Sequence, residues 1–431
     1  MALHAGADAT AMSPRRADQW HAVLGGIVGN VMEWYDFTIY GYFAAIIGRQ
    51  FFPMGDRLTS LVASFGVFAA GFLMRPLGSL IFGHIGDRIG RKAALTTSVI
   101  AMALPTFLIG LLPTYGQVGV AAPIGLTALR LIQGLSVGGE YTTSFIFLVE
   151  QAPPGRRGLL GSWGPFGVAG GLLLGSGIGT LLTSCLDPQA VASWGWRLPF
   201  LFGIFVGLTG LYIRRHVSEQ PPEPGAMRPH SPVLEAFRTG WRSILKIVGF
   251  NMVGAIGFYL CFIYVTTWLR QTEHIAATTA FDINTLAIAV LLPLIPAAGA
   301  LSDRVGRKPV LIAACAGLLL LAWPLFWLMH HSAASLVLAG QVGFATLVAG
   351  IGGAGPATMV EAFARPVRCT ALSVGYNLSM AAFGGTAPMV AVYTLQHTHD
   401  DLSGAYYLMA ASLVSLVVIL GLRETSRAPL M

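Results

Sequence analysis

Charge is the scarcest ingredient of this sequence. Only 10% of its 431 residues are Asp, Glu, Lys or Arg, against about 25% in ordinary soluble domains. So little charge cannot cover a water-exposed surface of this size, which excludes a soluble globular protein. Cysteine is nearly absent too. Cys185, Cys261, Cys315 and Cys369 are scattered without ligand spacing. Neither a disulfide framework nor a zinc module is expected, and they read as small buried hydrophobes. Histidines pair only at His330-His331, and no nucleophile–base constellation accompanies them. Enzyme chemistry, a metal and a cofactor are therefore not expected. Residues 1–19 lack the apolar core and cleavage site of a signal peptide and read as a polar tail.

What the sequence has instead is apolar length. Hydrophobic residues make up 55% of the chain, in runs of about 20 residues, each enough for a helix to cross a ~30 Å hydrocarbon layer. The chain reads as an all-α polytopic membrane protein with about 12 transmembrane helices. The spans fall at 20–47, 58–82, 93–113, 119–149, 159–183, 196–214, 243–269, 280–300, 309–329, 334–361, 367–394 and 402–422. The +7 net charge invites a nucleic-acid reading. The distribution opposes it. Arg88, Arg91, Lys92, Arg156, Arg157, Arg304, Arg307 and Lys308 gather in loops on one side, while the opposite loops hold only Arg49, Arg57 and Arg270. Basic loops stay in the cytoplasm, so both termini are expected inside, with the lipid bilayer as partner and no nucleic acid. Residues 215–242 contain Pro221, Pro222, Pro224, Pro229 and Pro232 and read as a cytoplasmic linker. It divides a six-helix bundle at 20–214 from a second at 243–422, flanked by tails at 1–19 and 423–431.

The two halves repeat each other. Gly83-His84-Ile85-Gly86-Asp87-Arg88-Ile89-Gly90-Arg91-Lys92 recurs as Gly299-Ala300-Leu301-Ser302-Asp303-Arg304-Val305-Gly306-Arg307-Lys308, a parallel internal repeat. Glu150 followed by Arg157 recurs, at the same spacing, as Glu361 followed by Arg368. Acidic residues contribute little to membrane orientation, so topology alone does not account for the duplicated acids. Asp87, Arg88, Arg91, Glu150, Arg157, Asp303, Arg304, Arg307, Glu361 and Arg368 read as ion pairs of a cytoplasmic gate, formed in one state and broken in another.

Ionisable groups inside spans are costly and mark function. In the first span, Asn30, Glu33, Asp36 and Tyr40 recur at helical spacing on one face. Loss of water favours the neutral form of a carboxyl group, which makes these two acids candidates for carrying a proton. A fixed structural ion pair is the competing reading. Arg75 in span two either snorkels to the interface or faces inward. In span four, Arg130, Gln133, Glu140 and Tyr141 lie on or near one stripe. Depth counted at about 1.5 Å per residue suggests pairing Arg130 with Glu33 or Asp36, and Arg75 with Glu140. An unpaired buried arginine would seat a carboxylate in its planar fork. The second half offers neutral groups, Asn251, Tyr259, Tyr376 and Asn377, which bond either a solute or other helices. Gly66, Gly71 and Gly78 of span two permit close helix contact, and Gly134, Gly138 and Gly139 narrow span four. Trp194, Trp196 and Arg197 read as interfacial anchors.

The paired Gly-x4-Asp-Arg-x-Gly-Arg-Lys loops, the spans and the linker resemble the major facilitator superfamily. Gly29-Asn30-Val31-Met32-Glu33-Trp34-Tyr35-Asp36-Phe37, Gly71-Phe72-Leu73-Met74-Arg75-Pro76, Gln133 through Tyr141, and Trp194-Gly195-Trp196-Arg197-Leu198-Pro199-Phe200 look like its metabolite:proton symporter family. That resemblance implies a transporter of the bacterial inner membrane, driven by the proton gradient and working by alternating access. It implies uptake of a small carboxylate-bearing solute, either an organic acid such as 2-oxoglutarate or citrate, or a zwitterion such as proline or betaine. Substrate contacts are expected from Arg75, Arg130, Asn30, Gln133, Tyr141, Asn251, Tyr259, Tyr376 and Asn377. Proton coupling is expected from Asp36, Glu33 and Glu140, and the protein is expected to be a monomer. The segment from Gly139 to Ser144 and the ending Arg423-Glu424-Thr425 look closest to the proline/betaine branch. Osmosensing members of that branch continue into a coiled coil. This chain ends at Met431, so activation through such a device is not expected. The alternative is a proton-antiport exporter of drugs or amphiphiles, against which two buried arginines weigh.

Overall fold

The computed structural model describes residues 14–88, 91–138, 140–215, 232–331, 333–362, 365–428 and 430. In hydrocarbon every backbone N–H must find its partner within the segment, so apolar runs become helices. Each expected crossing coincides with one helix or an interrupted pair of helices, and there is no strand among the described residues. The first is α1 (Pro14–Phe51). The second is α2 (Arg57–Leu73) and α3 (Arg75–Arg88), interrupted at Met74. Pro76, in the first turn of α3, lacks the N–H that would continue the ladder. The third is α4 (Arg91–Leu111). After a short α5 (Tyr115–Val118), the fourth is α6 (Ala121–Ser136) and α7 (Glu140–Glu150). The fifth is α8 (Arg157–Gly161) and α9 (Trp163–Cys185); α10 (Pro188–Ser193) follows in the loop, and α11 (Leu198–Arg215) is the sixth.

In the second half, α12 (Pro232–Tyr259) and α13 (Val265–Gln271) are joined by a π-helical turn at Leu260–Tyr264. Then come α14 (Ala277–Val305), α15 (Arg307–Met329) and α16 (Ala334–Glu361). A second π turn, Met380–Gly384, joins α17 (Arg365–Ser379) to α18 (Ala387–Thr398), and α19 (Ser403–Leu420) ends the bundle. Helix α12 begins at Pro232, inside the 215–242 stretch read as linker; residues 216–231 lie outside the described set. Leu73, Ile124, Leu181, Phe205, Leu320 and Val417 are exposed around the bundle, as lipid-facing side chains should be.

Small residues set how closely the helices of the first half meet. A Cβ on Gly134 would lie 1.9 Å from the Gly71 carbonyl oxygen, and one on Gly78 would lie 1.8 Å from that of Leu135. Only glycine permits this approach of α6 to α2 and α3, and it places Arg75 and Arg130 in one interior. The anchor reading of Trp196 and Arg197 is corrected. Trp196 is fully buried, and Arg197 Nη1 donates to Gly110 O and Leu112 O at 2.9 and 2.6 Å. It thereby satisfies carbonyls at the end of α4, where a cation is also favoured by the helix dipole.

The chain after α19 turns back onto the start of α15. Glu424 accepts the backbone N–H groups of Arg307 and Lys308, both at 2.9 Å. Those donors have no partner within their own helix. Burial alone would raise the Glu424 carboxyl, but the N–H groups of Arg307, Ser426 and Lys308 outweigh it and hold the group down at about 2. A depressed carboxyl stabilises above its ordinary value of 4.5 and ceases to do so as pH falls through about 2. The cap therefore persists across the physiological range. Glu424→Ala should cost the start of α15 about 1 kcal/mol, read as about fivefold faster hydrogen exchange at the Arg307 and Lys308 amides.

Candidate functional site

Seven crossings contribute to a cavity of about 90 Å³ between the halves. By the measure in which about 10–15 Å³ holds one water, it admits a solute of several heavy atoms. Its wall is aromatic: Trp34 from α1, Tyr141 from α7, Phe250 and Phe258 from α12, and Tyr376 from α17. Trp34 meets Phe258 edge-on at 5.4 Å and Tyr141 at 6.2 Å. The rings of Tyr141 and Tyr376 lie 5.1 Å apart and their hydroxyls are hydrogen-bonded across the halves. Asn251 also lines the space, its amide donating to Ser379 Oγ at 3.3 Å. The indole N–H of Trp34 is buried without a hydrogen-bond partner. Among the described residues no charged side chain lines this cavity.

The charges lie behind it, inside the first half. Arg75 is 1% exposed, so it faces inward rather than snorkelling. Its guanidinium stands over Phe72 at 4.3 Å, Phe37 at 5.0 Å and Trp34 at 5.5 Å, and its Nη2 lies 4.0 Å from Glu33 Oε1. Arg130, fully buried, stands over Tyr40 at 4.4 Å and Phe37 at 4.8 Å. Its Nη1 donates to Gln133 Oε1 at 3.0 Å, and Gln133 Nε2 donates to Thr106 Oγ1 at 2.7 Å. Thr106 in turn adjoins Asp36, and Asp36 lies within electrostatic reach of Arg130. Nε and Nη2 of both arginines, and Oδ1 of Asp36, have no hydrogen-bond partner. Buried polar atoms left so require an explanation.

The halves are bridged at both ends of the cavity. At the end bearing the Asp-Arg loops, Asp303 accepts the N–H groups of Gly158 and Leu159 at 2.8 and 2.9 Å. Arg307 joins Asp303 at 2.8 Å to Glu361 at 3.1 Å. Arg157 reaches Glu361 at 3.6 Å, and Arg368 reaches Glu150 at 2.6 Å. Each repeat's arginine thus pairs with the other repeat's glutamate. At the opposite end Gln396 donates to Asp56 and Thr59, both at 3.2 Å, and Asn284 donates to the Tyr42 hydroxyl at 2.7 Å.

The geometry places the expected residues as follows. Arg75, rather than Arg130, lies beside Glu33, while Arg130 keeps Asp36 within electrostatic reach, as one of the two expected pairings has it, and takes Gln133 as its hydrogen-bond partner. Neither arginine lines the cavity, nor do Asn30, Gln133, Tyr259 or Asn377. Asn30 ties α1 to Ser144 and to Gly164 O, both at 3.3 Å. Asn377 is occupied by Gly138 O and Ser373 O, the helix-to-helix use of an amide. Tyr259 is buried with its hydroxyl unpartnered, packed edge-on against Phe72 at 5.4 Å. Arg304 is exposed. The side chains of Asp87, Arg88, Arg91 and Glu140 lie outside the described set. Sequence reasoning missed Trp34 and Thr106. Trp34 sits between two singled-out residues on α1. Thr106 stands alone on an apolar helix and gives no signal.

A family model described as "Sugar (and other) transporter" matches residues 22–222 and 229–431. The glycine betaine/proline/ectoine/pipecolic acid transporter of Dickeya dadantii is 34% identical over 95% of this chain and 84% of its own length. The proline/betaine transporter of Escherichia coli K12 is also 34% identical, with the same coverage. A putative proline/betaine transporter of Staphylococcus aureus is 36% identical over 91% of this chain and 85% of its own. Among solved structures, a D-xylose-proton symporter superposes with a TM-score of 0.76 at 16% identity, over 96% of this chain and 99% of that one. An inward-open form of the E. coli xylose transporter covers 96% of this chain and 98% of its own at 17% identity, with a TM-score of 0.67. At these identities the structures speak to the fold. The family model spans both halves and the relatives share a third of their residues along nearly the whole chain, so the chain belongs to the sugar (and other) transporter family, with the major facilitator fold.

Proposed function

We propose that the protein imports a small zwitterion, of the proline or betaine kind, together with a proton across the bacterial inner membrane. Both termini are cytoplasmic in this reading, and the two six-helix halves rock about the central cavity. The observation that carries it is the cavity wall: aromatic faces, one amide, two phenols and an unpartnered indole N–H, with no charged lining among the described residues. Quaternary and secondary ammonium groups are held by aromatic faces. A single carboxylate suits the few donors present. Citrate or 2-oxoglutarate would bring two or three charges out of water against the same few donors, a desolvation cost without matching partners. The relatives' names point to zwitterions and give no support to those acids.

The proton acts on the chemistry behind the wall. Neutralising Asp36 removes a negative charge facing Arg130 and alters the chain through Thr106 and Gln133. Glu33 and Asp36 share α1 with Trp34, so a change in their pairing is felt one residue away at the cavity. Neutral contents and neutral carboxyls lower the cost of passing the apolar barrier.

The test is uptake into proteoliposomes of radiolabelled betaine, proline, 2-oxoglutarate, citrate and shikimate, under an inward proton gradient with and without a protonophore. Protonophore-sensitive accumulation of betaine or proline is expected. Accumulation of the acids alone, or efflux of amphiphiles instead, would overturn the reading. Trp34→Ala should raise the half-saturating betaine concentration about tenfold, since a desolvated cation–π contact contributes up to about 2 kcal/mol. Trp34→Phe, which keeps a face and loses the N–H, should lose less for betaine binding.

A further inference from the structure

We propose that the proton leaves Asp36 through a second, hydrated pocket inside the first half, separate from the solute's path; this rests on the proton-coupled reading above. A pocket of about 30 Å³ is lined by Glu33 and Asp36 of α1, Ser98 and Ala103 of α4, Ser136 at the end of α6 and Gly207 of α11, among others. None of these six lines the central cavity. Two carboxyl groups and two hydroxyls thus share a space for about two waters, at roughly 10–15 Å³ each.

A second observation points the same way. Asp36 is 5% exposed, and its Oδ1 has no hydrogen-bond partner. A buried carboxyl oxygen facing a polar pocket with room for water is a place where ordered water binds. The charged and titratable groups around Asp36 are Glu33 and Tyr35 from its own helix and Arg130 from α6. Helix α4 presents the Thr106 hydroxyl, and α11 presents Gly203, where a Cβ would stand 3.5 Å from Asp36 Oδ1. Positive charge therefore meets the carboxylate from α6, while the pocket meets it between α1, α4 and α11.

The direction follows from the helices. Gly29 forms part of the α1 wall, and Ser98 lies two turns from the start of α4 at Arg91. The pocket runs from Asp36 toward Gly29 and Ser98, that is toward the start of α4, the end that is cytoplasmic in the topology proposed above. The central cavity is shut at that same end by the crossed ion pairs. In the release step the O–H bond of the Asp36 carboxyl group breaks. The proton passes to a pocket water, and the electron pair stays on the carboxylate, whose charge Arg130 then meets. No oxidant or co-reactant enters.

Two variants test this in the full-length chain reconstituted in proteoliposomes. Ala103→Val adds two methyl groups to the pocket wall. Ser98→Ala combined with Ser136→Ala removes both hydroxyls without adding volume, and keeps the test standing should the first variant fail to fold. Radiolabelled glycine betaine is followed in two assays. Net uptake driven by a proton gradient requires Asp36 to release its proton. Equilibrium exchange at equal pH returns the loaded, protonated carrier and does not. Gradient-driven uptake is expected to fall about a hundredfold, the lower end of what losing an assisted proton transfer costs, with a larger deuterium solvent effect and with exchange unchanged. Equal losses in both assays, or driven uptake as fast as wild type, would overturn the pocket's role while leaving the proton-coupled reading in place. A wild-type protein that exchanges betaine but ignores the gradient would overturn both.

Discussion

Asp36→Asn is expected to abolish gradient-driven accumulation while the carrier still exchanges solute. The argument is thermodynamic before it is structural. One pH unit across the membrane is worth about 1.4 kcal/mol for one proton, enough to hold about a tenfold solute gradient. A carrier that cannot load the proton cannot draw on that energy, so the accumulation ratio should fall to about one whatever its turnover. Asparagine keeps the size of Asp36 and mimics its neutral form. The site then remains in the proton-loaded condition, with Arg130 and Gln133 free of a competing negative charge. Exchange needs only that condition, and the wall of Trp34, Tyr141, Asn251 and Tyr376 is untouched. Glu33→Gln is the necessary companion, because Glu33 lies 4.0 Å from Arg75 and lines the same small pocket as Asp36. If Asp36→Asn is coupled and Glu33→Gln is not, the proton site moves one turn along α1. Full accumulation by both variants would sink the assignment to this helix altogether.

The crossings were legible because lipid leaves the backbone few choices, and apolar length alone marks them. The start of α12 was not. Pro232 read as one more linker proline, although proline is also favoured in the first turn of a helix, and the following turns are polar enough to hide the boundary. The burial of Arg130 followed from charge sitting where charge is costly, whereas Arg75 stood between the interface and the interior, and the duplicated acids were marked by the repeat. The pairing of the arginines did not follow. Counting rise per residue gives depth and not azimuth, and azimuth is set by the contact of Gly71 with Gly134. The cavity was least legible. Its lining is aromatic, and in a chain this apolar an aromatic ring facing solute has the same sequence signature as one facing another helix. The π turns beside it, at Leu260–Tyr264 and Met380–Gly384, leave no signature of their own.

Arg307→Met should move the resting conformation from closed to open at the end bearing the Asp-Arg loops. Arg307 is 1% exposed and holds Asp303 and Glu361 together, and both acids also meet the other half of the protein, at Gly158 and Arg157. Removing one partner of a buried ion pair costs about 3–5 kcal/mol, because the remaining charge is left uncompensated. That cost falls on the closed state, where the carboxyl groups are shut from water, and is relieved when the halves part. A bias of this size changes the ratio of the two states by about two to four powers of ten. Spin labels at the exposed positions Gln151 and Ala362, in a background with the four cysteines replaced by alanine, should report a longer, broader distance distribution in the variant. Adding Glu361→Gln removes one stranded charge and should bring back part of the closed population. An unchanged distribution would mean that the backbone bonds from Gly158 and Leu159 and the Arg368–Glu150 pair suffice to hold the gate. Arg307 would then be a strut within the second half rather than the keystone between the two.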